Sequence, residues 1–109
     1  MAHYHDTDDL KRMRDLRAAA PAEFEAWLNL DKIVGREGGK IPVKVRELIA
    51  VAVAHTTQCV YCIDVHVKGA KKAGATREEV AEAVLIAAAL RAGGAAAHGT
   101  LAMKCYDGG

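Results

Sequence analysis

The sequence predicts an all-α protein, and three observations carry that prediction. Apolar residues recur at i, i+3, i+4 and i+7 along most of the chain, the spacing that gathers side chains on one face of a helix. Glycine, proline and capping residues punctuate these stretches. No segment shows the strict alternation of a half-buried strand, and the valines and isoleucines fall within helical periodicity.

Residues 8–19 read as a first helix, with Leu10, Met13, Leu16 and Arg17 at helical spacing and Asp8 and Asp9 in the first turn, where the helix dipole favours acids. Pro21 opens the second, because proline is tolerated at the first helical position. Phe24, Trp27, Leu28 and Ile33 form its apolar stripe, and Gly35, Gly38 and Gly39 then break the chain into a loop. A third helix is expected over 42–57, with Val45, Leu48, Ile49, Ala52 and Val53 along one face. Thr56, Thr57 and Gln58 read as a turn, and a fourth helix follows from Val60 to Ala73, with Gly74 just past its end. Thr76-Arg-Glu-Glu79 is a capping box that opens a fifth helix to Leu90, with Val80, Ala83, Val84, Ala87 and Ala88 facing inward. Gly93-Gly94 is expected to interrupt it, Ala95–Lys104 to form a sixth helix, and Tyr106–Gly109 to trail as a tail.

The 109 residues, without a repeat or linker, point to one domain spanning 1–109. Hydrophobic residues make up 51% but aromatics only 5%, so much of the core must be alanine, which buries little area per side chain. A small chain with small core residues gains limited stability alone, so part of its apolar surface is expected to lie against other copies of itself. The alanine- and glycine-rich stretch 81–99 is the natural place for that contact. The formal charge is +1 with acids and bases interspersed, which excludes the basic stripe of a nucleic-acid binder. Ala83–Leu90 is the longest apolar run and falls short of the ~18 residues of a membrane span. The polar, acidic N-terminus does not read as a secretory signal, so the expected location is the cytoplasm. There, three cysteines do not suggest a structural disulfide framework.

The chemistry is concentrated in Cys59-Val-Tyr-Cys62-Ile-Asp-Val-His66. On a helix these two thiols and the imidazole share a face, since i, i+3 and i+7 differ by nearly whole turns. Two adjacent thiols can exchange a disulfide, and a nearby imidazole can move the activating proton. At a helix start, free N–H groups and the dipole stabilise a thiolate. Cys59 is expected to be the more exposed thiol, with Cys62 one turn in, below His66. The same residue types also bind metals, so a zinc site with Glu47 or His55 as fourth ligand is the alternative. Glu47 lies on the preceding helix, flanked by Leu48 and Ile49; a partly buried carboxylate can fix a histidine or act as a base. His55, two turns on, is an auxiliary candidate for the same region.

These residues resemble the AhpD-like group of the carboxymuconolactone decarboxylase family. The likeness spans about residues 20–105, with the specific pattern Glu47-(eleven residues)-Cys59-x-x-Cys62-x-x-x-His66. The resemblance implies an all-helical, one-repeat subunit of a homo-oligomer, a trimer or hexamer. It also implies a thiol peroxidase, in which Cys62 attacks a hydroperoxide, Cys59 resolves the intermediate, and Glu47 and His66 relay protons. No cofactor or resident metal is implied. The oxidised pair would be reduced by an external dithiol, a lipoyl-bearing adaptor or a thioredoxin-like protein. Tyr61 stands where the AhpD pattern has histidine; a phenol donates a hydrogen bond but is no base near neutral pH. A general protein disulfide reductase would look the same. The decarboxylase branch works without a redox pair, and a scaffold role or two merely buried cysteines are the non-redox alternatives. Asp64 reads as solvated, His98 as an interface residue, Cys105 as an inert thiol, and His3 and His5 as part of a disordered end, with a metal pair as the alternative reading.

Overall fold

The computed structural model describes residues 4–109, and these form an all-α fold without strands. His3, one half of the terminal histidine pair, lies outside the described residues. A short 3-10 segment, Thr7–Arg12, leads into α1 (Met13–Ala19), α2 (Pro21–Val34), α3 (Val43–Thr57), α4 (Val60–Lys72) and α5 (Arg77–Tyr106). The expected first helix is therefore split by type. Its opening turn is 3-10, with Asp6 as N-cap accepting from the Asp8 N–H at 3.0 Å and the Asp9 carboxylate accepting from the Asp6 N–H at 2.7 Å.

Proline sets the next two boundaries. Ala20, before Pro21, is held off the helical region at φ −139°, ψ 68°, and Pro21 opens α2. Pro42, at ψ 152°, is the N-cap of α3. The intervening loop is sewn down by Arg46, whose guanidinium donates to the Ile41 carbonyl at 2.8 Å and the Val34 carbonyl at 2.7 Å. Gln58 ends α3 in the left-handed conformation, φ 58°, and Cys59 follows as N-cap of α4. The capping box at α5 is present: Glu79 N–H donates to Thr76 Oγ1 at 3.1 Å, and Thr76 N–H donates to Glu79 Oε1 at 2.8 Å.

Two expectations about the C-terminal third need correction. Six helices were expected, and five α-helices are present among the described residues, because α5 runs unbroken through Gly93 and Gly94. Each mid-helix glycine costs about 1 kcal/mol relative to alanine, and the surrounding alanines propagate well enough to carry the helix across. As one element, α5 is long and apolar enough to cross a membrane by length and composition, which counting only the run Ala83–Leu90 had missed. Arg91 interrupts its apolar character at the middle and donates to the Thr56 carbonyl at 2.6 Å, tying it to the end of α3.

Helix α3 is the centre of the fold, packing against both α4 and α5, while α1 pairs with α2 and the 3-10 turn rests on α4. The interior is small: Val51, Ala54, Ala70 and Ala87 are the buried hydrophobics among the described residues. Large apolar side chains remain exposed on α2 (Trp27, Leu30), α3 (Ile49, Val53) and α5 (Leu85, Leu90). The radius of gyration is 18.0 Å, extended beside the roughly 13 Å of a globular chain of about this length. Because Thr76 satisfies an N–H that would otherwise lack a partner, Thr76→Ala is expected to lower stability by about 1 kcal/mol. Urea denaturation at fixed protein concentration checks this, and an unchanged midpoint would remove the cap from the forces holding α5.

Candidate active site

The left-handed turn at Gln58 places Cys59 ahead of the first turn of α4 with extended backbone, φ −91°, ψ 100°. Its sulfur accepts from the Cys62 N–H at 3.3 Å, so this cysteine caps its own helix. The two Sγ atoms are 2.7 Å apart, and both residues are free thiols of intermediate burial. Their acidities diverge. The Cys59 pKa is lowered, first by the hydrogen bond from the Cys62 thiol and then by the backbone N–H groups of Cys62 and Tyr61, with burial opposing. Burial pushes Cys62 up to about 11, reinforced by its hydrogen bond to Cys59 and by the charges of Cys59 and Asp31. The shared proton therefore sits on Cys62, and Cys59 is the thiol that ionises first.

One turn further along α4, His66 Nδ1 lies 2.9 Å from Glu47 Oε2 of α3, both side chains half-buried. A carboxylate only accepts, so it holds the proton on Nδ1 and leaves Nε2 to take a proton from elsewhere. Among the described residues, His66 has no hydrogen bond to either thiol. The approach of Glu47 depends on Gly69. A Cβ there would stand 2.6 Å from Glu47 Oε2 and 2.9 Å from its Cδ. Glycine in the interior of a helix is unfavourable, and here the missing side chain makes room for the carboxylate. A cavity of about 590 Å3 reaches Glu47 and His66 from the side of α2, with Asp31 and Lys32 at one wall and Ile49 and Val53 at another.

The remaining candidates sort cleanly. Tyr61 reaches away from the relay: its hydroxyl donates to Asp9 Oδ2 at 2.8 Å, and that contact raises its pKa, so it serves as a donor. His55 is correspondingly occupied, with Nδ1 2.7 Å from the Val51 carbonyl of its own helix, and does not join Glu47. Asp64, expected to be solvated, is half-buried and pairs with Lys68 at 2.8 Å. His98 Nδ1 is 2.9 Å from the Gly94 carbonyl, and Cys105 is exposed near the end of α5. Among the described residues, no three His, Cys, Asp or Glu groups are placed to share a metal ion. Sequence reasoning missed Gly69, Asp31 and Asp9. Only Gly69 left a signal, as a glycine three residues past His66 inside a helix.

Comparison with known proteins places this site in context. The model of the carboxymuconolactone decarboxylase family matches residues 21–104. "Uncharacterized protein 4 in cox locus" of Paracoccus denitrificans is 47% identical over 91 residues, 84% of this chain and 80% of the relative. An uncharacterized protein of Cupriavidus necator is 34% identical over 92 residues, with the same two shares. The crystal structure of a protein from Methanobacterium thermoautotrophicum aligns with a TM-score of 0.72 at 32% identity, covering 79% of this chain and 96% of that one.

The Gly69 contact separates site from fold. Gly69→Ala should leave stability unchanged or raise it by up to about 1 kcal/mol, since alanine is the better helix former. It should nevertheless slow the thiol step, as Glu47→Gln is also expected to, because each removes the carboxylate from His66. Urea denaturation and stopped-flow oxidation of the paired thiols, measured on both variants, test this; wild-type oxidation rates in Gly69→Ala would show that the Glu47–His66 contact is dispensable.

Proposed function

We propose that this chain, which belongs to the carboxymuconolactone decarboxylase family, is a thiol-dependent peroxidase that reduces hydroperoxides through a Cys59–Cys62 disulfide. The family includes decarboxylases and peroxidases. The observation that carries the reading is the 2.9 Å contact of His66 with Glu47, one turn beyond a pair of thiols at a helix N-terminus.

The geometry supports a division of labour. Cys62 holds its proton tightly, with a pKa of about 11, so as attacking thiol it needs a base. His66, four residues on along α4 and fixed by Glu47, supplies one through Nε2. The Cys62 thiolate then attacks the terminal peroxide oxygen, the O–O bond breaks, and the departing alkoxide takes the proton back from His66. Cys62 is left as a sulfenic acid and an alcohol is released. Cys59, ionised more readily, displaces hydroxide from that sulfur, giving the disulfide and, with one proton, water. An external dithiol restores both thiols by exchange and leaves as its own disulfide. A lipoyl-bearing adaptor or a thioredoxin-like protein fits that role.

A second reading has its own support. A CxxC whose first cysteine is the acidic one and whose second is buried and protonated suits dithiol–disulfide exchange, with Cys59 attacking a disulfide substrate and Cys62 resolving. On that reading the protein is a general disulfide reductase and peroxide is incidental.

The proposed working unit is a homo-oligomer, a trimer or hexamer, in the cytoplasm and without membrane or nucleic-acid partners. The small interior, the extended shape and the exposed apolar faces of α3 and α5 support burial against further copies. The same burial accounts for the membrane-like composition of α5.

Intact mass after alkylation, with and without equimolar peroxide, is the first test. Loss of two alkylatable thiols and a cross-linked 59–62 peptide are expected; three thiols that stay free and slow would sink the redox assignment. The single variants then separate the two readings. Cys62→Ser should abolish peroxide turnover, and Cys59→Ser should accumulate a sulfenic acid at Cys62. The reverse pattern, with first oxidation at Cys59, would transfer the protein to the exchange reading.

A further inference from the structure

One of the two residues between the cysteines is tied to a distant part of the chain. Tyr61 lies in the first turn of α4, and its hydroxyl donates to Asp9 Oδ2 across 52 positions of sequence. The same oxygen accepts the Asp6 N–H at 2.7 Å, closing the cap of the 3-10 turn. The His5 ring lies edge-on to Tyr61, with centroids 6.3 Å apart. One carboxylate oxygen thus locks the N-terminal strap to the turn that carries the dithiol.

We propose that Asp9, acting through Tyr61, is a positioning residue for the dithiol, holding the first turn of α4 so that its backbone N–H groups stay aimed at the Cys59 sulfur. First turns of helices fray because their N–H groups have no partner within the helix. Here the Cys62 N–H donates to Cys59 Sγ, a contact that exists only while the turn is formed. Within that turn, Tyr61 is the side chain with a tertiary hydrogen bond among the described residues. Releasing it loosens the N–H groups that stabilise the Cys59 thiolate. Asp9 also has an opposite, purely electrostatic influence, because a carboxylate near a thiol disfavours the thiolate. The two effects have opposite signs and can be told apart.

The inference rests on Cys59 being a working thiol of the proposed redox pair, but its test reads the thiol directly and does not depend on turnover. In the full-length chain with Cys62→Ser and Cys105→Ser, Cys59 is the remaining thiol. Its iodoacetamide alkylation rate is followed from pH 5 to 10 in this background and with Asp9→Ala, Asp9→Asn or Tyr61→Phe added. The titratable groups around it are Asp9 and His5 of the strap, Tyr61 and His66 of α4, Glu47 of α3 and Asp31 of α2. Asp9→Ala and Tyr61→Phe are each expected to raise the alkylation midpoint by roughly half a unit, about a threefold loss of thiolate near neutral pH. Combining them should add nothing further, because both cut the same tether. Asp9→Asn keeps an acceptor oxygen for Tyr61 but removes the charge, so its midpoint should lie at or slightly below the parent's and clearly below that of Asp9→Ala. A midpoint that falls in Asp9→Ala would mean that Asp9 acts by charge alone. Midpoints that do not move, with circular dichroism also unchanged, would mean that the tether anchors the strap and nothing more. Either result overturns the proposal.

Discussion

A single left-handed residue, Gln58 at φ 58°, turns the chain from α3 into α4, and the geometry of the site follows from that turn. It folds α4 back along α3, so that Glu47 and His66, 19 residues apart in sequence, come within 2.9 Å. It also delivers Cys59 to the N-cap of α4, where the sulfur replaces the oxygen of the usual serine, threonine or aspartate cap. A non-glycine residue in this region carries strain, which the packing of α3 against α4 has to offset. The turn that forms the hairpin is the same turn that tunes the thiol.

The dithiol is asymmetric for reasons that do not depend on which substrate it meets. The two sulfurs share a proton, and the amide groups of the first turn favour leaving it on Cys62. A thiol held near 11 is nearly silent at neutral pH unless a base stands ready, and under the proposed function the Glu47–His66 pair supplies that base. Gly69 makes the pair possible by leaving space, and the cavity beside α2 opens onto it.

The legible part of this architecture was the part written at short range. The helical extent of α3, the Thr76–Glu79 capping box and the spacing of Cys59, Cys62 and His66 are local signals, and each is present in the fold, although the face α3 buries carries Val51 and Ala54 while Val45, Ile49 and Val53 of the expected stripe stay exposed. Glu47 was within reach because its helix and the next are joined by a short turn. What could not be read depends on distance or on sums. The Asp9–Tyr61 contact spans 52 positions, and no local pattern marks it. His55 was placed near Glu47 by helical arithmetic, yet its ring is tied to the Val51 carbonyl. The continuity of α5 was missed because Gly93-Gly94 looks like a stop, whereas the alanines around it outweigh two unfavourable residues.

Arg91 gives the long α5 helix an electrical meaning. Its guanidinium sits on the Thr56 carbonyl, among the last carbonyls of α3, whose free oxygens make that helix end negative. Immediately beyond the Gln58 turn lies the positive amide end of α4, with the Cys59 sulfur upon it. Two helix termini of opposite sign therefore meet at the dithiol, and a cation from a third helix quiets the one that would repel a thiolate. The junction between α3 and α4 that carries Cys59 is therefore braced from α5 as well, by one charged hydrogen bond two residues before the turn.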